Sequence, residues 1–231
     1  LYWGALNPNT LNASIYIANA DTVATTVEVK IAGISRGTYP MNPNTSLVVK
    51  YAVDGGPVEI SSNNGAKIIA SLNQWRRRPS TTVGWTGVSQ SMALPIDLIS
   101  DQYVIPRYDY SSTSALFNAV SIANVDTVSR DISITIGGTV MGTYTLAPSE
   151  SQFIQYPGVV GGPVVVSSDT GAKIVASLYE LIRDPGLPGW NGQSEMMGIP
   201  FSQLSDTYLI PLYWGALNPN TLNASIYIAV P

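Results

Sequence analysis

The chain contains no histidine and no cysteine among its 231 residues. Without histidine it cannot form a Ser-His-Asp or Cys-His catalytic arrangement or an imidazole metal site. Without cysteine it cannot form thiolate sites, zinc ribbons or disulfides. Charged residues make up only 11% of the chain, whereas about 25% is usual in soluble globular domains. These absences remove many classes of enzyme, and we expect no cofactor and no bound metal.

The charge pattern argues against two classes of partner. The net charge is −4, so the chain lacks the broad basic surface that neutralises phosphates, and we expect no nucleic acid partner. The one basic run, at residues 76–78, is too short to change this balance. No uninterrupted apolar stretch approaches the roughly 18–20 residues of a membrane helix, so we expect no membrane insertion.

The most informative feature is an exact internal repeat. Residues 1–18 recur letter for letter as residues 212–229, with a period of 211 residues. A second, diverged repeat of about half that length lies inside the period. Its motifs match at a shift of 105 or 106, for example Gly37-Thr38-Tyr39 with Gly142-Thr143-Tyr144 and Gly65-Ala66-Lys67 with Gly171-Ala172-Lys173. We therefore define repeat A, repeat B and the start of a further A-type repeat as residues 1–106, 107–211 and 212–231.

Both repeats carry strand patterns. Apolar residues alternate with polar ones across 23–31 in repeat A and across 128–136 in repeat B, which is the period of a half-buried strand. The chain also holds 20 glycines and 16 prolines, many of them in turn motifs between these segments. Further strands are predicted at about 12–18, 45–51, 57–62, 66–74 and 102–106.

These patterns predict the fold class. We expect an all-β fold of two tandem immunoglobulin-like antiparallel β-sandwiches, plus an extra strand that repeats the N-terminal one. The only helical turn expected in each repeat lies at 95–100 and at 200–205. The link between the repeats is strand-like and stiffened by Pro106, so neighbouring repeats are predicted to stack with limited freedom.

Several motifs resemble those of a known class of repeats. They are Gly37-Thr38-Tyr39-Pro40, Tyr156-Pro157-Gly158-Val159, Ser194-Glu195-Met196-Met197-Gly198 and Tyr208-Leu209-Ile210-Pro211. The pattern is similar to the tandem β-sandwich repeats in large secreted or cell-surface proteins of filamentous bacteria such as Chloroflexota. It covers both repeats, although repeat A departs from it with Gln90-Ser91-Met92-Ala93. The resemblance implies an extracellular structural or adhesive array.

The strand at the start of repeat A, which the exact repeat duplicates, is the most specific candidate site. Its candidate assembly residues are Leu11, Ala13, Ile15 and Ile17 in the first copy and Leu222, Ala224, Ile226 and Ile228 in the second. An exposed apolar strand is a template for pairing, so we expect the second copy to lie hydrogen-bonded along a sheet edge. It either begins the next covalent repeat or inserts into a neighbouring subunit. Both arrangements give a head-to-tail filament.

Aromatic residues mark the junctions between repeats. They are Tyr2, Trp3, Tyr108, Tyr213 and Trp214. A fibre predicts that contacts between repeats bury these rings. A carbohydrate-binding protein predicts instead an exposed row of rings on which sugars stack.

Two other groups of residues have both a functional and a structural interpretation. Asn12, Asn44 and Asn223 begin N-glycosylation triplets, and exposed polar strand residues are the alternative. Aspartates near turns offer a carboxylate pair or a calcium site in principle, but aspartate beside a turn usually closes it. These aspartates are Asp21, Asp97, Asp101, Asp126, Asp169 and Asp184. We therefore predict no catalytic, cofactor-binding or metal-binding residue.

Together these features predict a non-enzymatic, extracellular segment of a fibre built from tandem β-sandwiches. Its partners would be further copies of itself in a head-to-tail filament. The alternative is a cell-surface adhesin or carbohydrate-binding module with glycans as ligands, and a carboxylate-based hydrolase is a third class. Exposure of the junction aromatic rings distinguishes the first two hypotheses.

Overall fold

The computed structural model describes residues 2–4, 11–77, 85–111, 115–182, 192–211 and 225–231. The regular elements in these ranges form small antiparallel β-sheets, apart from two short 3-10 turns. The turns, Ile96–Leu98 and Phe201–Gln203, lie within the two segments where the sequence predicts a helical turn. The all-β prediction is therefore confirmed. No helix in the described part of the chain is long and apolar enough to cross a membrane.

Nine strands form a first structural unit, which we name module A. They are β1 (Tyr2–Trp3), β2 (Leu11–Asn19), β3 (Thr25–Ile31), β4 (Ile34–Met41), β5 (Ser46–Val49), β6 (Asp54–Gly55), β7 (Val58–Ser62), β8 (Ile68–Arg77) and β9 (Trp85–Met92). Hydrogen bonds join β5, β2, β8 and β9 into a four-stranded sheet, and β4, β3 and β7 into a three-stranded sheet, in those orders. Strands β1 and β6 form a two-stranded ribbon.

Eleven strands form module B. They are β10 (Gln102–Ile105), β11 (Tyr108–Asp109), β12 (Leu116–Asn124), β13 (Arg130–Ile136), β14 (Thr139–Leu146), β15 (Ser151–Ile154), β16 (Val160–Gly161), β17 (Val164–Ser167), β18 (Ile174–Ile182), β19 (Gly192–Met197) and β20 (Ile199–Pro200). The order β15, β12, β18, β19 repeats the four-stranded sheet of module A. The second sheet has five strands, in the order β14, β13, β17, β10, β20.

Each module has a hydrophobic core to which both of its larger sheets contribute. In module A, Ile15 and Ile17 of the four-stranded sheet share one buried cluster with Val27, Val29 and Ile31 of the three-stranded sheet. Strand β3 alternates between buried and half-buried residues along its whole length, as period-two patterning requires. The alternation that the sequence shows therefore sets which face of each sheet turns inward.

A buried asparagine ends β2 in module A and the equivalent strand β12 in module B. Asn19 Nδ2 donates to the carbonyl oxygen of Val23 at 2.8 Å. Asn124 Nδ2 donates to the carbonyl oxygens of Val128 at 2.8 Å and Leu146 at 3.0 Å. An asparagine side chain in this position satisfies backbone groups that the sheets leave unpaired. The two repeats thus share this buried asparagine and its hydrogen bonds as well as a strand order.

The described chain contains four larger sheets of three to five strands. A four-bladed, propeller-like grouping would contain the same number of sheets. The paired strands therefore define an all-β chain of small antiparallel sheets. The number of these sheets does not by itself define two immunoglobulin-like sandwiches.

Candidate assembly interface

Strand β10 belongs to repeat A by sequence and to module B by hydrogen bonding. It pairs antiparallel with β17, with Val104 directly opposite Val165. Along its other edge it pairs with β20. The last strand of one repeat therefore lies inside a sheet of the next. The sequence repeat ends at residue 106, whereas the modules meet before β10.

The side chains of β10 complete the core of module B. Tyr103, Val104 and Ile105 are 0%, 6% and 0% exposed. Tyr103 and Ile105 belong to the same buried cluster as Val164 and Val166 of β17. Full burial of side chains of this size stabilises a fold by about 1.5–3 kcal/mol each. Module B therefore depends on a strand that repeat A contributes.

Hydrogen bonds hold the segment before β10 against module B. The backbone N–H of Ser100 donates to the hydroxyl of Tyr103 at 3.1 Å. The carbonyl oxygen of Ser100 accepts from the N–H of Ile174 at 3.1 Å. The Asp101 carboxylate accepts from the N–H of Gly171 at 2.6 Å. These contacts fix both the entry point and the direction of the strand.

Two glycines allow the crossing chain to approach closely. A Cβ atom on Gly198 would lie 3.1 Å from the Cβ of Tyr103 and 3.4 Å from Cγ1 of Ile105. A Cβ atom on Gly162 would lie 2.5 Å from the carbonyl oxygen of Pro106, which is an impossible contact. Glycine is needed at this second position because only a residue without a side chain fits against a neighbouring backbone.

A second contact joins β8 and β9 of module A to β18 and β19 of module B through buried polar side chains. Gln193 Nε2 donates to Ser89 Oγ at 2.9 Å and to Gln74 Oε1 at 3.3 Å. Gln74 Nε2 donates to one oxygen of Glu195 at 3.0 Å, and Ser177 Oγ donates to the other at 3.1 Å. Buried polar groups are costly unless paired. This network therefore favours one relative position of the two modules.

The four-stranded sheet of module B has buried residues on both of its faces. Ala119 and Ser121 of β12 lie opposite Tyr179 and Ser177 of β18. All four residues are buried, although none belongs to the core cluster between the two sheets of module B. The Ser177–Glu195–Gln74 hydrogen bonds place module A over this outer face. Contact with module A thus supplies the second covered face.

A largely buried ion pair lies where the chain leaves β10. The Arg107 guanidinium contacts Glu180 at 2.5 Å, and Asn118 Nδ2 donates to the same carboxylate oxygen at 3.0 Å. The guanidinium also lies 4.0 Å from the centre of the Tyr227 ring. Breaking a buried pair by removing one partner costs about 3–5 kcal/mol. Arg107 therefore anchors the chain at the module junction.

The two copies of the predicted assembly strand have different environments. Ala13, Ile15 and Ile17 are buried in β2, where they form part of the core of module A. The backbone of Leu11 is also in β2, paired with Arg76. Leu222 and Ala224 lie outside the described residues, whereas Ile226 and Ile228 are 55% and 89% exposed. The expected pairing along a sheet edge is absent from residues 225–231, which contain no strand.

The predicted junction aromatics that the structure describes are core residues. The Tyr2 hydroxyl accepts from the N–H of Tyr51 at 2.7 Å, and the Tyr108 hydroxyl accepts from the N–H of Tyr156 at 2.8 Å. Tyr2 and Tyr108 are both buried within their own modules rather than between them. Trp3 lies in β1, paired with Asp54, and Tyr213 and Trp214 lie outside the described residues.

The predicted glycosylation triplets differ in their surroundings. Asn12 is half-buried in β2, and its side-chain oxygen is buried without a hydrogen-bond partner. Asn44 is exposed in a turn, with a φ angle of 56°. Asn223 lies outside the described residues. Of the two that the structure describes, Asn44 is the one whose side chain is exposed.

Two of the aspartates near turns, Asp21 and Asp126, accept hydrogen bonds there, whereas Asp184 lies outside the described residues. Asp21 accepts from the N–H groups of Thr22 at 2.7 Å and Lys67 at 3.0 Å, and these bonds lower the pKa of its carboxyl. Asp126 accepts from Arg130 at 2.6 Å, and this contact lowers the pKa of that carboxyl. These are turn-closing contacts of the kind the sequence favoured. Among the described residues no cluster of three or more acidic side chains is arranged to hold a metal.

The sequence did not single out the residues that join the modules. Strand β10 was predicted, but as the end of repeat A rather than as part of the next sheet. The available signal was the match of Tyr103-Val104-Ile105-Pro106 with Tyr208-Leu209-Ile210-Pro211 at the repeat boundary. Glu195 stood out only because repeat A differs from repeat B there. Gln74, Ser89 and Gln193 carried no signal, because a polar residue in a strand is ordinarily solvent-facing.

The sequence matches no family model. It also matches none of the curated proteins.

Proposed function

We propose that this chain is a non-enzymatic structural segment of an extracellular fibre in which β-sandwich modules follow one another head to tail. The observation that carries the proposal is the position of β10, which extends from repeat A into a sheet of module B. A shared strand leaves little freedom between neighbouring modules. Modules linked in this way form a stiff array rather than flexibly tethered beads.

We also propose that each module is an immunoglobulin-like sandwich. Module A has antiparallel sheets of four and three strands, and both contribute to one core. Module B repeats this plan with β10 and β20 added. Two antiparallel sheets packed over alternating inward residues are the features by which that architecture is defined. Such modules occur widely in cell-surface arrays, which agrees with the extracellular location that the resemblance implies.

The burial of two aromatic rings counts against the carbohydrate-binding alternative, although they are buried inside the modules and not between repeats as the fibre hypothesis expected. A sugar-binding surface needs rings whose faces are accessible to the ligand. Tyr2 and Tyr108 are enclosed in their cores, and their hydroxyl groups are hydrogen-bonded to the backbone. Neither ring is available to stack on a sugar. The absence of histidine and cysteine from the sequence supports the non-enzymatic part of the proposal.

Electron microscopy of the purified chain over a range of concentrations tests this function. We expect elongated particles that lengthen as the concentration rises, since head-to-tail contacts are open-ended. A glycan-binding assay on the same material provides the comparison with the adhesin hypothesis. Compact particles of constant size together with saturable binding to a glycan would contradict the proposal and support the alternative.

A further inference from the structure

Repeat B ends in a segment equivalent to β10 that has no strand partner among the described residues. Residues 207–210 match 102–105 at a shift of 105, yet they form no strand. Tyr208, Leu209 and Ile210 are 57%, 94% and 59% exposed. Their equivalents in β10 are almost completely buried. Three adjacent apolar side chains in water lack the burial that stabilises β10. We call residues 207–210 the unused strand.

The unused strand already has the local conformation of the paired one. The N–H of Ser205 donates to the Tyr208 hydroxyl at 3.0 Å, as Ser100 does to Tyr103 at 3.1 Å. The N–H of Thr207 donates to Ser205 Oγ at 3.1 Å, which also repeats a contact before β10. A 3-10 turn precedes both segments. A segment held in its bound conformation loses less entropy when it docks.

Module A has the matching unfilled edge. Strand β17 is flanked by β13 and β10, whereas its equivalent β7 pairs with β3 and ends the three-stranded sheet. Val164 and Val166 of β17 are completely buried. The equivalent residues of β7, Val58 and Ile60, are only half-buried. Within the part of the chain that the structure describes, the edge of β7 therefore lacks the strand that covers β17.

We propose that residues 207–210 of one molecule pair antiparallel with β7 of a second copy of this chain. The register follows from β10 on β17, where Val104 lies opposite Val165, and it places Leu209 opposite Glu59. Tyr208 and Ile210 then enter the core of module A as Tyr103 and Ile105 enter that of module B. This inference rests on the proposed head-to-tail function, for which it names the connecting strand and its acceptor.

A second surface of module A supports the same partner. The outer face of the four-stranded sheet in module B is covered by module A. The equivalent face of module A exposes Tyr16, Val48 and Ile69 by 38%, 49% and 52%. Tyr16 and Val48 lie directly opposite each other in neighbouring strands, so they form one continuous apolar patch. Module B of a second copy, docked as module A docks on module B, covers this patch.

One position distinguishes the two acceptor edges. Ala93 occupies the place of Gly198, and its N–H donates to the carbonyl oxygen of Ala70 just as Gly198 does to Ala176. A Cβ atom at Gly198 would lie 3.1 Å from the Cβ of Tyr103. The incoming Tyr208 therefore has to shift by a few tenths of an ångström beside Ala93. Replacing Ala93 by glycine removes this obstacle and strengthens the docking.

Disulfide trapping between two single-cysteine proteins tests the register. The chain has no cysteine of its own, so Leu209→Cys and Glu59→Cys introduce the only thiols. Residues directly opposite in antiparallel strands have Cα atoms about 4.5–5.5 Å apart, within the range that a disulfide spans. After mixing and mild oxidation, peptide mass spectrometry should find more of the 209–59 disulfide than of the 209–209 and 59–59 disulfides combined. Random collision gives equal amounts.

Two controls define the outcome. Val104→Cys with Val165→Cys in one chain should form an intramolecular disulfide, which establishes that this register can be trapped. Adding Tyr208→Asp and Ile210→Asp to Leu209→Cys should lower the 209–59 yield by about tenfold or more, because docking would bury unpaired charges. Both residues are exposed, so the fold should survive, and circular dichroism checks this. A 209–59 yield at the random level, or one unchanged by the two aspartates, overturns the inference.

The same variants separate this inference from the proposed function. Filaments that persist in the Tyr208→Asp and Ile210→Asp variant would leave the fibre proposal standing and overturn the role of this strand. Preferential 209–59 trapping in material that never extends beyond small oligomers would support the strand docking and count against the fibre. In addition, Ala93→Gly should raise the trapped fraction.

Discussion

The hydroxyl of Tyr108 accepts a hydrogen bond of 2.8 Å from the backbone N–H of Tyr156 inside module B. The same hydroxyl donates to the carbonyl oxygen of Asn118 at 2.8 Å. In module A, Tyr2 accepts from the N–H of Tyr51 at 2.7 Å. Tyr2 of β1 and Tyr108 of β11 thus each tie a short strand near the start of a module to a loop that is distant in sequence. These buried phenols make both modules sensitive to alkali and to removal of a hydroxyl.

Alkaline unfolding should begin near pH 10. Burial raises the pKa of Tyr108 to about 12 from an ordinary value of 10.0. A raised tyrosine pKa contributes stability that is fully present below pH 10 and is lost as the pH rises towards 12. We expect the exposed tyrosines to ionise first, and the buried ones to ionise together with the loss of circular dichroism. Ultraviolet titration checks this, and full ionisation with the fold intact would contradict it.

Replacing Tyr108 by phenylalanine should lower the free energy of unfolding by about 1–3 kcal/mol. The ring keeps its place, but the N–H of Tyr156 and the carbonyl of Asn118 lose their buried partner. Urea denaturation measures the change. Tyr110→Phe, at a half-buried ring beside the same core, is the control and should change little. Equal effects of the two substitutions would show that the Tyr108 hydroxyl has no special role.

Acid should destabilise module B partly through Asp126. The Arg130 guanidinium and the N–H of Thr127 lower the pKa of this carboxyl below its ordinary value of 3.8. A depressed carboxyl pKa contributes stability that is present above pH 3.8 and is lost as the pH falls below it. Asp126→Asn should therefore flatten the dependence of stability on pH in that window. Thermal unfolding at several pH values tests this, with the exposed Asp169→Asn as the control.

Asn124→Ala should cost more than most single substitutions in this chain. The substitution removes the donor to the carbonyls of Val128 and Leu146, and leaving the buried Leu146 carbonyl without this bond costs about 1–3 kcal/mol. Chemical denaturation of the full chain gives the change in free energy of unfolding. Asn42→Ala is the matched control, since that side chain is exposed. An equal loss of unfolding free energy in the two variants would mean that water replaces the Asn124 amide as the hydrogen-bond donor.

Gly87→Ala should weaken the contact between the modules. A Cβ atom at this position would lie 3.0 Å from the Cβ and 3.1 Å from the backbone nitrogen of Gln193. Overpacking of this kind costs about 1–3 kcal/mol. In calorimetry we expect the two modules to unfold less cooperatively than in the parent chain. Val88→Ala, at an exposed neighbour on the same strand, should leave the cooperativity unchanged.

Much of the local structure could be predicted from the sequence because it depends on residues close along the chain. The alternation through Val27, Val29 and Ile31 indicated both the strand and its buried face. The position of Asp21 beside a turn indicated that it closes the turn, and it does so. Period-two patterning and turn chemistry require no knowledge of distant partners. These features are therefore the same in both repeats.

The partners of the strands were decided only by the tertiary structure. Residues 103–105 and 208–210 have nearly the same pattern, yet the first segment is buried between β17 and β20 and the second is exposed. The polar contact of Gln74 with Glu195 was equally hidden from the sequence. Backbone N–H and C=O groups are alike in every strand. The residues of a strand therefore predict that it pairs and which of its sides is buried, but not its partner. Which sheet edge lies within reach is set by the folded modules around it.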